Sequence, residues 1–416
     1  MRFLFYSYNY YPEKTGIGKY NGEWAEWLTQ EGHEVVIITG RPYYPEWSVY
    51  PNYRNRFWET EFIRGVKVIR CPMFIPSKPS GLTRILSDLS FLISSSWSWI
   101  QLAFKPKFDV VISIYPPLTS GLFPYLYVRT KGGLWIHHVQ DLQVDAAVKL
   151  GIINNRFIAN TLYSFEHFFF KRANIVSSIS EGMKSNIIEK GVSKDRYLML
   201  ENWVDTDFIY PLSYNSTYPL RKTLGIADSA KVILYSGNLG EKQGLEVIIE
   251  AACTLREHSN IVFLICGEGM MKPKLIQMAN NRKLKNIQFR PLVSYEELPF
   301  LLSLASVHLI PQKKAAGDLV LPSKLSTILA SGGITIAAAE ENTTLYDLIN
   351  DNKIGMTIEP ENSIQLVDAI QLSVKEDHSL LQIRARNYAE NKLSKEAVLS
   401  DYYNKITNLM SQSEIL

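Results

Sequence analysis

One lysine of this chain stands where a positive charge is electrostatically unfavourable. In LPSKLSTILASGG (321–333), apolar residues at helical spacing predict a helix, with Ser323 as its N-cap and Lys324 in its first turn. The unpaired N–H groups of a helix start carry about half a positive charge, so a cation there costs about 0.3–1 kcal/mol. A bound anion would offset this cost. We therefore predict that Lys324 takes part in binding an anion.

A glycine-bearing turn in the same half of the chain predicts a second part of that site. In SGNLGEKQGL (236–245), Gly237 and Asn238 follow a predicted strand, and Lys242 and Gln243 precede a predicted helix. Backbone donors, a cation and a helix start therefore coincide, which is typical of phosphate binding. A turn that only requires glycine for its shape is the alternative.

Two further turns carry glycine after predicted strands. CGEG contributes Gly267 and Glu268, which we interpret as another wall of one nucleotide-sized pocket. Near the N-terminus, EKTGIGKY contributes Gly16 and Gly18 just before a predicted helix. These glycines allow the backbone to approach an anion or sugar hydroxyls, although a structural strand-to-helix turn explains them equally well.

The segment HHVQD (137–141) ends an otherwise apolar predicted strand. Adjacent residues of a strand point to opposite faces, so at most one of His137 and His138 can reach a ligand. That imidazole could donate to a substrate oxygen, with Asp141 orienting it or binding a hydroxyl, whereas a core histidine is the alternative. No metal-binding spacing of histidines or carboxylates occurs, so we predict neither a metal nor another cofactor.

Short β-branched runs alternate with longer segments of helical periodicity along the whole chain. Two such series, separated by a predicted linker at 206–220, indicate an α/β protein with two doubly wound, Rossmann-like domains facing each other across a cleft. Ligands of such sheets bind beyond the carboxyl ends of the strands. The predicted strands are 2–8, 34–40, 66–70, 109–115, 134–139, 174–180, 231–237, 261–267, 286–292, 306–312 and 333–339.

Composition narrows the class of protein. The chain has 416 residues, and its 44 Lys and Arg nearly balance 41 Asp and Glu, which argues against binding nucleic acid by bulk charge. Three scattered cysteines predict no disulfide framework or zinc site. The N-terminus lacks the features of a signal peptide and no segment is a convincing membrane span, so we predict a cytoplasmic protein.

Two segments, 82–107 and 155–174, combine Phe, Trp and Leu with flanking Lys and Arg. A membrane-surface role and burial against a sheet explain this pattern equally well.

The order of the motifs resembles the family 4 retaining glycosyltransferases of the GT-B fold over nearly the whole chain. Within that family, LPSKL and HHVQDLQVDAA are most similar to the colanic-acid and exopolysaccharide branch, whose members are often described as fucosyltransferases. The matching segments are YPEKTGIGKY, EGHEVVIIT, ISEGMKSNIIEKGV, ENWVD, SGNLGEKQGLEVIIEAA, CGEG, FRPLVSYEELPFLLSLASV and LPSKLSTILASGG.

The resemblance implies a transferase that moves a sugar from a nucleotide sugar, first GDP-fucose and then UDP-sugars, to a lipid-linked oligosaccharide. It implies an acceptor-side domain over 1–205, a nucleotide-sugar domain over 206–384 and C-terminal helices over 385–416 that cross back to the first domain. The enzyme would be cytoplasmic, peripheral to the inner face of the plasma membrane.

The resemblance also assigns residues. Lys324, helped by Lys242, would neutralise the leaving diphosphate, and His137 or His138 would contact the donor sugar. Gly16 and Gly18 would approach the diphosphate or the acceptor. The base site would be lined by Gly267, Glu268, Leu292 and Val293.

The chain departs from the family pattern at three positions. Asn238 stands where Arg is frequent, and Gln243 stands where Lys is frequent. Thr327 replaces the Glu that commonly holds the ribose, with Asp318 the nearest acid upstream. Two alternatives to a transferase stay open. One is a nucleotide-sugar 2-epimerase, for which the sequence shows no convincing pair of acid–base carboxylates. The other is a non-catalytic protein that binds a nucleotide sugar, which the departures at Asn238 and Thr327 support best.

Overall fold

The computed structural model describes residues 1–13, 16–54, 57–78, 80–149, 153, 155–314 and 322–413. The chain divides into two compact units. Unit 1 comprises Met1–Asn202 and Asp401–Leu416, and unit 2 comprises Trp203–Ser400.

Unit 1 is built on an eight-stranded sheet of order β3-β4-β2-β1-β5-β6-β7-β8. Every described pairing is parallel except that between β3 and β4. The central strand β5 is buried at every residue, which explains its continuous apolar run. The strands are β1 (Arg2–Ser7), β2 (Glu34–Thr39), β3 (Glu59–Ile63), β4 (Val66–Arg70), β5 (Val110–Tyr115), β6 (Leu134–Val139), β7 (Ile175–Ser178) and β8 (Tyr197–Met199).

Helices cover both faces of this sheet. Neighbouring residues of β1 identify the two faces, because Phe5 meets Trp24 of α1 whereas Tyr6 stacks on Phe91 of α2. Helix α3 packs beside α2 and also beside α5. The helices are α1 (Gly16–Gln30), α2 (Gly81–Ala103), α3 (Leu122–Lys131), α4 (Gln143–Lys149), α5 (Arg156–Arg172) and α6 (Glu181–Glu189).

Unit 2 is built on a six-stranded parallel sheet of order β11-β10-β9-β12-β13-β14. The strands are β9 (Lys231–Ser236), β10 (Ile261–Cys266), β11 (Ile287–Arg290), β12 (Val307–Ile310), β13 (Thr335–Ala338) and β14 (Met356–Ile358). The helices are α7 (Tyr214–Thr223), α8 (Glu246–Thr254), α9 (Lys272–Asn281), α10 (Leu298–Leu304), α11 (Lys324–Ala330), α12 (Thr344–Asn352), α13 (Ser363–Lys375) and α14 (Ser379–Tyr388).

The last helix, α15 (Lys395–Ser413), follows a π-helical turn over Ala389–Leu393. Its residues from Asp401 onward belong to unit 1, where the Tyr402 ring lies 5.5 Å from that of Trp24.

Both sheets have the strand order of doubly wound folds, which confirms the predicted fold class. Each reverses its winding direction at one point, between β1 and β5 in unit 1 and between β9 and β12 in unit 2. Ligands of such sheets bind beyond the carboxyl ends of the strands at that point. Among the described residues, we find no helix with the length and apolar character needed to span a bilayer.

The predicted linker at 206–220 is wrong in its second part, where α7 begins at Tyr214. The Ser213 side chain accepts a hydrogen bond from the backbone N–H of Ser216 and caps the helix. Pro219 lies inside the helix and obscured it, because proline usually ends a helical pattern.

Candidate functional site

The first helical residue of α11, Lys324, lies beside the end of β9 in unit 2. Its ammonium nitrogen is 3.8 Å from the centroid of the Tyr235 ring, within the range of a cation–π contact. A Cβ atom added at Gly237 would lie only 2.9 Å from that nitrogen. Glycine at position 237 therefore leaves the space that the lysine ammonium occupies.

The charge of Lys324 is incompletely compensated. Burial lowers the pKa of Lys324 to about 8, and no charged neighbour among the described residues contributes to the shift. The aromatic face of Tyr235 offsets part of the cost of removing the ammonium from water. A partly buried cation without a carboxylate favours the approach of an anion.

The start of α11 differs from the prediction at Ser323. The backbone of Ser323 is already helical, with φ −55° and ψ −25°, and its side chain caps no N–H group. Ser323 therefore holds the predicted N-cap position without capping the helix, because a capping side chain needs an extended backbone to reach the first turn. Thr327 donates its hydroxyl hydrogen to the Lys324 carbonyl at 2.9 Å. Asp318 lies outside the described residues.

The turn after β9 packs directly against the turn after β10. The backbone N–H of Gly237 donates to the Cys266 carbonyl at 2.9 Å, and that of Leu239 donates to the Glu268 carbonyl at 2.8 Å. A Cβ atom at Gly267 would lie 2.0 Å from the Gly237 carbonyl oxygen, so no larger residue fits there. The structure thus brings the two predicted glycine turns together.

The side chains around this pair of turns have different surroundings. The Tyr235 hydroxyl donates to the Asn238 carbonyl at 2.6 Å, which fixes the turn. Glu268 pairs with Lys272, with 2.7 Å between Oε1 and Nζ, and does not contribute to the pKa shift of Lys324. The Oε1 atom of Gln243 is buried without a hydrogen-bond partner, beside Gly240.

Three further residues are predicted to bind the nucleotide-sugar donor. Lys242 is exposed in a short 3-10 turn, and its carbonyl accepts from the Lys313 N–H at 3.0 Å. Leu292 is exposed after β11. Val293 packs against the core cluster that contains Leu234.

Unit 1 has its own cavity of about 310 Å³ beyond the carboxyl ends of β1 and β5. Gly16, with φ +60°, and Asp141 are the two predicted site residues that line it. The cavity combines polar and aromatic side chains, a composition that suits sugar hydroxyls and sugar rings. Its further lining includes Asn9, Tyr43, Tyr44, Trp47, Arg84 and Asp88.

Gly18, in the first turn of α1, has a packing role. A Cβ atom there would lie 2.7 Å from Oε2 of Glu13. The Glu13 carboxylate is buried and accepts hydrogen bonds from the backbone N–H groups of Tyr43 and Tyr44, at 2.9 and 3.0 Å. Burial raises the pKa of Glu13 against the effect of these hydrogen bonds. Gly18 and Glu13 thus fix the loop that forms one wall of the cavity.

His137 is buried on the face of β6 that α5 covers. Its Nδ1 lies 2.7 Å from Oγ of Ser113, and its ring contacts those of Phe169 and Phe170. Burial lowers the pKa of His137 to about 3. The imidazole is therefore neutral at physiological pH.

His138 is buried on the opposite face of β6, where its ring meets that of Trp24. The Gln140 amide donates to His138 Nε2 at 2.8 Å, which leaves Nδ1–H to donate to Ser177 Oγ at 2.7 Å. Burial lowers the pKa of His138 to about 3. The prediction that the two histidines point to opposite faces is confirmed, and neither is among the residues that line the cavity.

Sequence reasoning missed Asp88 and Arg84. Both lie in the first two turns of α2 and line the cavity. Burial raises the pKa of Asp88 to about 7. The sequence did contain a signal for a functional role, because Arg84 and Asp88 are the only charged residues in the 23-residue sequence of α2.

Two family models match this chain one after the other. A glycosyl transferase 4-like domain matches residues 15–203. A domain described as glycosyl transferases group 1 matches residues 218–392. WcaI of Escherichia coli K12, provisionally described as a colanic acid biosynthesis glycosyl transferase, is 40% identical over 98% of this chain and 100% of its own length.

Solved structures resemble the fold at low sequence identity. Sucrose-phosphate synthase from Thermosynechococcus elongatus is 15% identical, with a TM-score of 0.69 over 99% of each chain. HepE of Anabaena, solved with UDP and glucose, is 12% identical, with a TM-score of 0.63 over 98% of this chain and 99% of that chain. At such identities the likeness shows the fold alone.

Proposed function

Because this chain belongs to the family 4 class of glycosyltransferases, we propose that it transfers a sugar from a nucleotide sugar to a lipid-linked oligosaccharide with retention of anomeric configuration. The proposed pathway is the synthesis of a colanic-acid-like exopolysaccharide, supported by the 40% identity to WcaI. We also propose that the enzyme works in the cytoplasm, peripheral to the inner face of the plasma membrane.

The observation that carries this proposal is the position of the Lys324 ammonium. The ammonium lies over the Tyr235 ring and beside Gly237, where the absence of a side chain leaves space for it. Among the residues that the structure describes, no carboxylate pairs with it. A departing nucleoside diphosphate gains negative charge as the glycosidic bond breaks. A fixed ammonium stabilises that charge in the transition state more than in the ground state, and so lowers the barrier.

Backbone groups supplement this charge in the proposed donor site. Gly237 and Gly267 bring two turns into contact, so that their main chain forms one continuous wall of the site. We propose that this wall, with Asn238, Ser323 and Thr327, holds the diphosphate and ribose. Lys242, Gln243, Glu268, Leu292 and Val293 retain their proposed places around the donor, and the undescribed Asp318 stays a candidate for the ribose.

Unit 1 supplies the proposed acceptor site. Gly16 and Asp141 line a cavity with polar and aromatic walls, which suits an oligosaccharide. We propose that Asp141 binds an acceptor hydroxyl. The contact of His137 or His138 with the donor sugar stays a proposal. Both imidazoles are buried and hydrogen-bonded, which supports the alternative of a structural role in the core.

In this reaction the acceptor oxygen forms the new bond to the anomeric carbon while the bond to the diphosphate breaks on the same face. The leaving phosphate accepts the acceptor proton, so no protein nucleophile is assigned. The nucleotide sugar is a substrate, and we assign no metal or other cofactor.

The donor is tested by incubating the purified protein with GDP-fucose, GDP-mannose, UDP-glucose or UDP-galactose and a lipid-linked oligosaccharide. Release of GDP or UDP together with an extended lipid-linked product supports the proposal, and GDP-fucose is the first expectation. Proton NMR of the new glycosidic linkage tests retention. Inversion at the anomeric carbon would overturn that part.

The same incubation separates the two alternatives, which the comparisons do not favour. An epimerised donor without a transferred sugar would indicate a 2-epimerase. Binding of a nucleotide sugar, measured by calorimetry, without turnover of any donor would indicate a non-catalytic protein.

A further inference from the structure

Helix α2 packs against the core of unit 1 with a face that mixes buried serines and buried apolar residues such as Phe91 and Trp99. Ser87, Ser95 and Ser98 are buried on its inner face. Ser95 Oγ lies 2.8 Å from the Tyr6 hydroxyl, and Ser98 Oγ lies 3.5 Å from Cys71 Sγ. These contacts fix the rotation of the helix about its own axis.

The opposite, exposed side of α2 is apolar. Ile93 is 72% exposed and Trp97 is 55% exposed. From Leu89 to Phe104 the chain has no charged residue. A helix at a water-facing surface normally carries its charged residues outward, so this surface is matched to an apolar environment. The apolar face consists of Ile85, Leu86, Leu89, Ile93, Trp97 and Ile100.

Neighbouring exposed aromatic residues extend this surface. The Trp58 indole N–H donates to the Ser94 carbonyl of α2 at 3.1 Å, which places an exposed tryptophan beside the apolar face. Helix α5, in the same helical layer, exposes Phe157 and Phe165. Tryptophan and phenylalanine are the side chains that amphipathic helices insert at the boundary between headgroups and acyl chains.

Positive charges lie at one edge of this helical layer. Helices α2, α3 and α5 run antiparallel to the strands they follow, so their C-terminal ends meet at the edge where β5, β6 and β7 begin. Exposed cations occupy the last turns of α3 and α5 and the segment after α2. They are Lys105, Lys107, Arg129, Lys171 and Arg172.

We propose that the apolar face of α2 docks onto a bilayer that contains anionic lipid, with the basic edge contacting the headgroups. An apolar surface bordered by cations complements such a bilayer in both polarity and charge. A second copy of the chain would match this face in polarity but not in charge, because an isologous interface pairs the same surface, with the same bordering cations, from both copies.

Docking would place the unit 1 cavity close to the lipid surface. Arg84, Ser87 and Asp88, from the first two turns of α2, line that cavity. A 23-residue helix is about 35 Å long and would lie along the bilayer plane. This step rests on the proposed function, since it accounts for access to an acceptor whose lipid stays in the membrane.

Co-sedimentation with vesicles tests docking without any nucleotide sugar. We expect the wild-type protein to bind phosphatidylglycerol-containing vesicles more tightly than pure phosphatidylcholine vesicles, and less tightly as salt rises. The double variant Ile93→Asp/Trp97→Asp should lose at least about tenfold in vesicle partitioning, since two charges would enter the apolar region.

A matched control comes from unit 2. Ile364 is 74% exposed and Ile383 is 55% exposed, so Ile364→Asp/Ile383→Asp adds the same charge at sites of similar exposure. This control should bind vesicles like the wild type. Far-UV circular dichroism and thermal melting establish that both double variants are folded.

Three outcomes would overturn the docking proposal: no wild-type binding to anionic vesicles, equal loss in both double variants, or a wild-type dimer that only Ile93→Asp/Trp97→Asp dissociates. Nucleotide release with a detergent-solubilised acceptor separates this result from the proposed function. If docking alone is wrong, that release persists. If the transferase proposal is wrong, release fails while vesicle binding persists.

Discussion

The ammonium of Lys324 lies 3.8 Å from the centre of the Tyr235 ring and has no described carboxylate as a partner. The two residues come from different β-α units of the second sheet, the helix α11 and the strand β9. An aromatic ring accommodates a cation without neutralising it. The pair therefore holds a positive charge in place and leaves it available to an anion.

Replacing Lys324 by methionine keeps the length of the side chain and removes its charge. We expect kcat to fall about 10²–10³-fold, the usual range when one fixed electrostatic donor of a transition state is lost. Steady-state release of the nucleoside diphosphate measures this. The control Lys285→Met removes an exposed lysine of the same unit and should leave kcat unchanged. An active Lys324→Met enzyme would exclude the lysine from the mechanism.

Gly237→Ala should displace the Lys324 ammonium. The new Cβ atom would lie 2.9 Å from Nζ, and the φ of +146° is unfavourable for alanine by about 1–3 kcal/mol. Gly225→Ala provides the control, because Gly225 also has a positive φ, +65°, but no atom near its Cβ position. Thermal melting should show destabilisation in both variants. Nucleoside diphosphate release should be lost only in Gly237→Ala, and equal activities would argue against displacement.

The pKa of about 8 at Lys324 predicts a pH dependence for catalysis. Above that pH the free enzyme loses the ammonium, so kcat/KM should fall through pH 8. The effect of rising pH on stability has the opposite sign to its effect on catalysis. The folded-state pKa lies below the ordinary 10.5, so the contribution of Lys324 to the free energy of unfolding rises between about pH 8 and 10.5.

Two measurements check the predicted effects of pH on kcat/KM and on the free energy of unfolding. The pH profile of kcat/KM should show the basic limb in the wild-type enzyme. Chemical unfolding at pH 7 and pH 10 should show a stability gain that the Lys324→Met variant lacks. A kcat/KM that stays constant up to pH 10 would contradict the lowered pKa.

Substituting His137 by phenylalanine tests whether this imidazole acts in the core or on the substrate. Its Nδ1 lies 2.7 Å from Ser113 Oγ, which also accepts a hydrogen bond from the Trp135 indole at 2.8 Å. Losing one partner of a buried hydrogen bond costs about 1–3 kcal/mol. We expect the free energy of unfolding to fall by that amount in urea titrations. At a temperature where the variant stays folded, kcat/KM should be unchanged, and a large loss would restore His137 to the sugar site.

The fold could be predicted because parallel strands buried on both faces are continuous apolar runs. The segment 231–237 matches β9 within one residue for this reason, as does 261–267 for β10. Helix α7 could not be predicted, because Pro219 and several Ser, Tyr and Thr residues remove the usual signal. The packing of α7 against α10, together with the Ser213 cap, accounts for its formation.

The proximity of Lys324 to Gly237 agrees with the prediction that two motifs 87 residues apart form parts of one anion site. The surroundings of His137 could not be predicted. Alternation along a strand shows that two neighbouring histidines diverge, but not that an aromatic helix covers one of them. Asp88 was missed for a similar reason, since a cavity is formed by tertiary packing rather than by local spacing.

Asp88 gives the last prediction, because it is a carboxyl group held in the unit 1 cavity with an unfavourable charge. Burial raises the pKa of Asp88 to about 7 from 3.8, against the smaller, opposing effect of Arg84. Its contribution to stability is therefore fully present below about pH 3.8 and is lost as the pH rises through 7.

Asp88→Asn should raise the melting temperature at pH 8 relative to the wild type, and this gain should shrink at pH 5. Asp351→Asn, at an exposed position of unit 2, should show no such pH-dependent gain. A gain of equal size at both pH values would show that Asp88 has the same protonation state at pH 5 and pH 8, and the raised pKa would then be wrong.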